Sequence, residues 1–315
     1  MTEIPVFDAD AVVAAVPVDR AIERTREAFV RHARGEWEMP AKVYVDSPPH
    51  GDFRAMPARG GELAILKWVT SFPRNPRRGL PVVAGALLAS NAVTGELVAL
   101  IDCASVTSLR TGSGAAVSAL ALAGDGARTA GVIGCGVNGA WAARSLAAAG
   151  YGPGICADPR REAAEALAAE LGWRAGSREE AAAQDVVVTV TPGSEPVILA
   201  SELRAGQHVA VLGADARGKA EVERSALGRC RLFCDEWRQA SGGGELAGAV
   251  EAGDVSRDDV TELGAVLAGD VEGRTDPAEV TLFDSTGLAI QDLAIALAVI
   301  EAWRAGEVDA ATTSI

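Results

Sequence analysis

Residues 130–140 read AGVIGCGVNGA, an apolar run ending in Gly134-Cys135-Gly136-Val137-Asn138-Gly139 and passing into the alanine-rich stretch WAARSLAAAG. The order of the parts carries the meaning: a strand, a glycine turn and the start of a helix together cradle a pyrophosphate. Gly134 permits the tight turn, Gly136 lets the backbone approach the phosphates, and Gly139 lets helix and strand pack closely. Outward from this point the pattern alternates: strand GICAD, helix Arg161 to Leu171, then DVVVTVT, HVAVLG and CRLFCD. Strand–helix alternation of this kind predicts a parallel, doubly wound α/β sheet of the Rossmann type. Asp158 lies nineteen residues beyond Gly139, at the end of the next strand. A carboxylate there accepts from the ribose hydroxyls and repels a 2′-phosphate, which favours NAD. Arg160 and Arg161 follow directly and would suit the 2′-phosphate of NADP, so NADP stays open.

Residues 1–125 have a different texture. A helical stretch around Asp19–Arg34 is followed by short β-rich runs (KVYVD, AILKWVTSF, VVAGALLAS, GELVALIDC) separated by turns such as NPRRGLP and NAVTGE. Strands in such close succession predict an antiparallel sheet. At the other end LFDSTGLAIQDLAIALAVIEAW gives an apolar helix of about 15 residues, long enough to return to the first domain. The chain therefore divides into an α+β domain, residues 1–122 with 292–315, and a dinucleotide-binding Rossmann domain, residues 123–291.

The 315 residues carry 29 Lys and Arg against 43 Asp and Glu, a formal charge of −14. That sign is wrong for a general nucleic-acid binder or for docking on an anionic membrane. The amino terminus, MTEIPVFDAD, lacks a basic segment ahead of an apolar one, and no stretch approaches ~18 consecutive apolar residues, so a cytoplasmic protein is expected. Five cysteines without a Cys-x-x-Cys and three scattered histidines predict free thiols and no metal site.

Against this acidic background four cations stand in apolar, strand-like surroundings: Lys42 in MPAKVYVD, Arg54 in DFRAMPA, Lys67 in AILKWVT and Arg110 in TSLRTGS. Any one of them alone reads as a surface residue with a snorkelling stem. Four together suit a substrate carboxylate, which guanidinium grips with two bonds and ammonium holds as a point charge. Asp215, in HVAVLGADARGK, falls just past a parallel strand, where ligands of open α/β sheets bind. Its position fits a nicotinamide-facing carboxylate or a turn aspartate equally well.

The segments MPAK, RAMPA, LKWVTSFPRNPRRGLPVVAG, TGELVALIDCASVTSLRTGSGAAVSALALA, GVIGCGVNG, VLGADARGK and TLFDSTGLAIQDLA, spread from Met39 to Ala294, resemble the ornithine cyclodeaminase and mu-crystallin family. The resemblance implies a homodimer and hydride exchange between a nicotinamide cofactor and an amino acid carbon, by way of an imine. It matches Lys67 and Arg110 to the cations that hold the substrate carboxylate, Lys42 to a further basic residue beside them, and Asp215 to the acid/base aspartate. It matches Arg110, Thr111, Gly136, Val137, Asn138, Asp158, Thr191, Gly213, Lys219 and Ser285 to cofactor-contacting positions, beside Gly134 and Gly139 of the glycine turn. Val222 and the pair Ser113-Gly114 depart from the family's usual residues.

The position of Arg54 resembles a glutamate in the ornithine enzymes, where it can pair with the substrate's side-chain amine. An arginine there repels a terminal ammonium, and like charges in a partly desolvated pocket cost on the order of a hundredfold in selectivity. The Lys42 and Arg54 pair resembles the alanine dehydrogenase branch. The expected activity is therefore NAD(P)-dependent oxidation of a small 2-amino acid, with alanine giving pyruvate and ammonia, or the reverse. The alternatives are an ornithine or lysine cyclodeaminase, a cyclic ketimine reductase, and a non-catalytic mu-crystallin-like binding protein. The last resembles a serine at the position of Asp215, so the aspartate argues for an enzyme.

Overall fold

The computed structural model describes residues 3–193, 195–216 and 218–314. In chain order the elements are β1 (Glu3–Phe7), α1 (Ala9–Ala15), α2 (Val18–Ala33), β2 (Val43–Ser47), β3 (Gly51–Gly60), β4 (Leu63–Ser71), β5 (Val83–Asn91), β6 (Leu97–Asp102) and α3 (Cys103–Leu122). There follow β7 (Ala130–Ile133), α4 (Val137–Ala148), β8 (Gly154–Ala157), α5 (Arg161–Leu171), β9 (Arg174–Ala175), α6 (Arg178–Ala182), β10 (Val186–Thr189) and β11 (His208–Val211). The chain ends with α7 (Arg224–Leu227), β12 (Cys230–Cys234), α8 (Trp237–Gly243), α9 (Ala247–Glu251), β13 (Val260–Glu262), α10 (Leu263–Ala268), β14 (Val280–Asp284), α11 (Ala289–Arg304) and β15 (Ala311–Ser314).

Two compact units emerge, Met1–Arg110 with Leu288–Ile315, and Thr111–Gly287. The first division falls inside α3 rather than at residues 122/123, and the reason lies in that helix's second half. Gly112 lies so close to Trp141 that a Cβ would meet its carbonyl oxygen at 2.4 Å. Ser118 bonds the imidazole of His208, and Tyr151 donates to Ala119 O. The second division, between Gly287 and Leu288, comes where α11 is about to begin.

The first unit holds a seven-stranded sheet in the order β15-β1-β6-β5-β4-β3-β2. The expected antiparallel run from β2 to β6 is extended by β1, which pairs parallel to β6, and by β15 antiparallel to β1. On β4 the residues alternate, with Leu63, Ile65, Lys67 and Val69 buried and Leu66 and Trp68 exposed. A period of two puts these sets on opposite faces. The inner face is covered by α11, which packs on β3, β4 and α2. Helix α11 is apolar around nearly its whole circumference, as a helix buried on all sides must be. Helix α2 instead buries one stripe, Ala21, Thr25, Ala28 and Phe29, spaced for a single helical face.

The second unit is an eight-stranded sheet, β13-β12-β14-β11-β10-β7-β8-β9, with every pair parallel. This is the doubly wound Rossmann architecture. The strands β7, β8, β10 and β11 are buried at every position, which is why they read as continuous apolar runs rather than alternating ones. Sequence order reverses between β7 and β10, the switch point at which such sheets bind ligands beyond their strand ends. His208 opens β11 fully buried, its two nitrogens bonded to Ser118 Oγ at 3.1 Å and Thr281 Oγ1 at 2.9 Å. Burial, aided by the Arg274 charge, pushes its pKa down to about 3, so it is a neutral core residue. Among the described residues no helix is long and apolar enough to cross a membrane.

Candidate active site

Strand register decides which cations of the first unit share a face. Met56 on β3 pairs with Lys67 on β4, and Arg54 pairs with Val69 on one side and Tyr44 on the other. Arg54 and Lys67 therefore both point to the inner face, away from the exposed Leu66 and Trp68. Lys42 precedes β2 and is half-buried. Arg54 is held in place by Asp52, two residues earlier on the same face, with Nε to Oδ1 at 2.6 Å and Nη2 to Oδ2 at 3.2 Å. Its guanidinium lies 5.4 Å from the ring centre of Tyr44.

Lys67 is only 1% exposed, and its Nζ donates to Asp292 Oδ1 at 2.8 Å. The same oxygen accepts from Arg110 Nε at 3.3 Å. Arg110 is placed by α3, whose start is capped by Asp102: Ser105 N and Oγ both donate to Asp102 Oδ2 at 2.7 Å. Burial lowers the Lys67 pKa and Arg110 adds to the effect, while Asp292 opposes it. Asp292 is wholly buried on the first turn of α11, and its Oδ2 has no hydrogen-bond partner among the described residues. The sequence reading missed Asp292. A signal existed, since Gln291-Asp292 is the one polar pair in an otherwise apolar helix between Ala289 and Ile300.

In the second unit the glycine turn has the steric reasons expected of it. Gly134 has φ +98°, and a Cβ there would meet Val190 O at 2.3 Å; one on Gly139 would meet Gly134 O at 1.8 Å. A Cβ on Gly136 would meet nothing within 4 Å. Gly136 caps α4 without a side-chain bond, so the helix presents its first amides past a residue with no side chain, and Val137 beside it is exposed. These features fit a dinucleotide pyrophosphate. Asp158, just beyond β8, accepts from Cys135 N at 2.7 Å and from Arg160 N at 2.8 Å. Burial works to raise its pKa, but the bonds from Arg160 and Cys135 outweigh it and hold the carboxyl below the ordinary aspartate value. Arg160 Nε reaches Asp158 at 3.2 Å and Arg161 Nε reaches Glu165 at 2.6 Å. Both arginines that would suit a 2′-phosphate are thus engaged by carboxylates.

The turns after β10 and β11 carry the remaining residues. Asp215 Oδ1 accepts from Lys219 Nζ at 2.5 Å, and the same ammonium lies 3.4 Å from Gly213 O. Thr191 Oγ1 accepts from Gly193 N at 3.2 Å. The amides of Thr191 and Gly213 both go to Glu221, a buried residue the sequence reading did not single out. Ser285, immediately after β14, is buried and donates its amide to Val211 O at 2.9 Å. Thr111 is buried on α3.

Residues 5–307 match the model of the ornithine cyclodeaminase/mu-crystallin family. The alanine dehydrogenase of Archaeoglobus fulgidus is 37% identical over 306 residues, 95% of each chain. Among solved structures, an archaeal alanine dehydrogenase dimer with bound NAD superposes with a TM-score of 0.94 at 36% identity, over the whole of both chains. The iminosuccinate reductase of Paracoccus denitrificans in complex with NAD⁺ does so with a TM-score of 0.90 at 30% identity, again over both whole chains. By sequence and by fold, this chain belongs to the ornithine cyclodeaminase/mu-crystallin family.

Proposed function

We propose that the chain is a nicotinamide-dependent oxidoreductase that interconverts a small 2-amino acid with its 2-oxo acid and ammonia through the imine, alanine and pyruvate being the leading pair. The observation that carries this reading is the buried cluster Lys67–Asp292–Arg110. Two basic side chains share one carboxylate oxygen in a desolvated place, so basic groups outnumber acidic ones there. A buried net charge is costly unless an anion completes it. The substrate's carboxylate is that anion, with Arg110, the more accessible of the two cations, presenting its guanidinium. NAD is favoured over NADP because Asp158 stands at the ribose position while Arg160 and Arg161 are engaged.

Bound nicotinamide supplies the hydride acceptor or donor. The chain's own residues bind, orient and move protons. Lys67 and Arg110 fix the carboxylate, which turns an encounter into a positioned reaction. Asp215, held by Lys219, accepts a proton from the water that adds to the imine carbon. The resulting carbinolamine then loses ammonia. In the reverse direction the same carboxylate returns the proton.

Arg54, paired with Asp52, stands where the resemblance puts a glutamate in the ornithine enzymes, so a side-chain ammonium would lack that carboxylate partner, which sets this reading apart from a cyclodeaminase. It also supports a second reading, reduction of the imine of a dicarboxylic acid, since a further carboxylate would suit this guanidinium. The outer face of the first unit's sheet exposes Val43, Val45, Leu66, Trp68 and Leu88. A contiguous apolar face of this kind marks an association surface, and a second copy of the chain is its proposed occupant, giving a homodimer.

The test offers purified protein NADH with ammonium and, in turn, pyruvate, oxaloacetate or a cyclic ketimine acid, and in parallel NAD⁺ with ornithine. Net NADH loss with pyruvate is expected. Loss with oxaloacetate alone favours the dicarboxylic imine, and loss with cyclic imines alone makes the protein a ketimine reductase. Ammonia released from ornithine without net change in NADH would overturn the reading.

A further inference from the structure

Glu221 is fully buried in the second unit, and its two oxygens are divided between two turns. Oε1 accepts from Thr191 N and Oε2 from Gly213 N, each at 2.6 Å. One carboxylate thus ties the turn after β10 to the turn after β11. The packing leaves no alternative at position 213: a Cβ there would lie 2.3 Å from Thr191 O and 2.7 Å from the Glu221 carboxylate. The return segment is fastened as well, with Ala220 N donating to Gly193 O at 2.9 Å and Val197 N to Glu221 O at 2.7 Å.

Three further buried carboxylates continue the arrangement. Glu245 accepts from Glu221 N at 2.8 Å and Val222 N at 2.9 Å. Asp284 accepts from Leu246 N at 3.1 Å. Asp235 accepts from Gly287 N at 2.7 Å, just past Ser285. Burial pushes Glu221 and Asp284 upward and Glu245 up to about 7, and main-chain amides resist it in every case. Each acid therefore organises backbone, with main-chain N–H groups as its partners.

We infer that Glu221 is a positioning residue for Asp215 and Thr191, fixing the two turns from which they project. This rests on the assignment of those residues to the nicotinamide end of the site, proposed above. Glu221, through the Gly213 amide, and Lys219 hold Asp215 from both sides. Glu221 anchors the amide two residues before it, and Lys219, two residues before Glu221, bonds its carboxylate.

The test is Glu221→Gln, which keeps the shape but turns one acceptor into an NH₂ group facing a main-chain N–H. A buried hydrogen bond of this kind is worth about tenfold or more in equilibrium or rate. The folded variant is expected to bind NADH at least about tenfold more weakly by fluorescence titration and to lose at least about tenfold in kcat. KM for the 2-oxo acid, which depends on Lys67 and Arg110, should move by less than about twofold. A lowered Tm with wild-type NADH affinity and kcat would mean a merely structural acid and would overturn the inference. Hydrogen exchange on the wild-type protein gives a second test that needs no variant: the amides of Thr191 and Gly213 should exchange as slowly as those of β10 and β11. Exchange at the rate of exposed loops would also overturn it. Wild-type protein that binds no NADH would sink the functional reading and this one together, whereas normal wild-type binding with an unaffected variant would sink this one alone.

Discussion

The two units bury charge in opposite ways. In the first, Lys67, Arg110 and Asp292 meet with basic groups in excess, and one oxygen of the carboxylate lacks a partner among the described residues. In the second, the buried acids Glu221, Glu245, Asp284 and Asp235 accept from main-chain amides, although Asp284 Oδ1 also has no partner among the described residues. Amide hydrogens are fixed parts of the fold, so acids that accept from them organise backbone. A cluster left with net charge is completed by a ligand. On the proposed reading, the difference distinguishes a site for a substrate carboxylate from a framework that holds loops still.

The largest effect should come from the residue proposed to move a proton. Asp215→Asn should lower turnover by about 10²–10⁴ while NADH binding, followed by fluorescence, stays within about threefold; near-wild-type activity would remove Asp215 from its role. Next is Lys67→Met, which removes the charge but fills the space. KM for pyruvate should rise by about a hundredfold with NADH affinity unchanged. Because a buried carboxylate loses its nearest partner, stability should fall by about 3–5 kcal/mol. Adding Asp292→Asn should return much of the Tm and none of the pyruvate affinity, which separates the cluster's contribution to folding from its contribution to binding.

Asp158→Ala comes third. It should weaken NADH binding by about tenfold and narrow the preference over NADPH, since the carboxylate that repels a 2′-phosphate is gone and Arg160 is released. Unchanged discrimination would shift the selectivity to other residues.

The smallest effect is a slope. His208 has its pKa near 3, against 6.5 ordinarily. Between those values the unfolded chain carries one more proton than the folded one, so its contribution to stability is present above pH 6.5 and is lost as pH falls toward 3. Glu245 works in the other direction: with its pKa raised from 4.5 to about 7, its contribution is present below pH 4.5 and is lost as pH rises through 7. Between 4.5 and 6.5 the two nearly cancel in the wild-type protein. Relative to wild type, His208→Gln should make stability fall more steeply with rising pH, by about 1.4 kcal/mol per unit in that window. Urea unfolding at several pH values reads this directly.

Much of this was legible in the sequence because its causes are local. The glycine turn needs Gly134 for its φ and Gly139 for a contact five residues away, and both are written within one decapeptide. Helix α5 was read at its observed limits, Arg161–Leu171, because its Gly172 stop is adjacent. The cations Lys67 and Arg54 stood out as charges in apolar, strand-like surroundings. Asp292 did not, because the partner that gives it meaning lies 225 residues away, and an aspartate near a helix start has an ordinary explanation. Glu221 was hidden in the same way, its amide partners lying at Thr191 and Gly213. The strands β1 and β15 were also unread, since they are four or five residues long and gain their identity only by pairing, β15 with β1 and β1 with β6 as well.

The most direct test is NADH oxidation by pyruvate and ammonium, followed in wild-type protein beside Lys67→Met, with alanine quantified as product. Wild-type protein should consume one NADH per alanine formed, and the variant should show the same NADH affinity with turnover lost at pyruvate concentrations that saturate the wild type. Equal activity in the two proteins, or wild-type silence with pyruvate and with every imine offered, would contradict the claim that the buried cation cluster is a substrate carboxylate site.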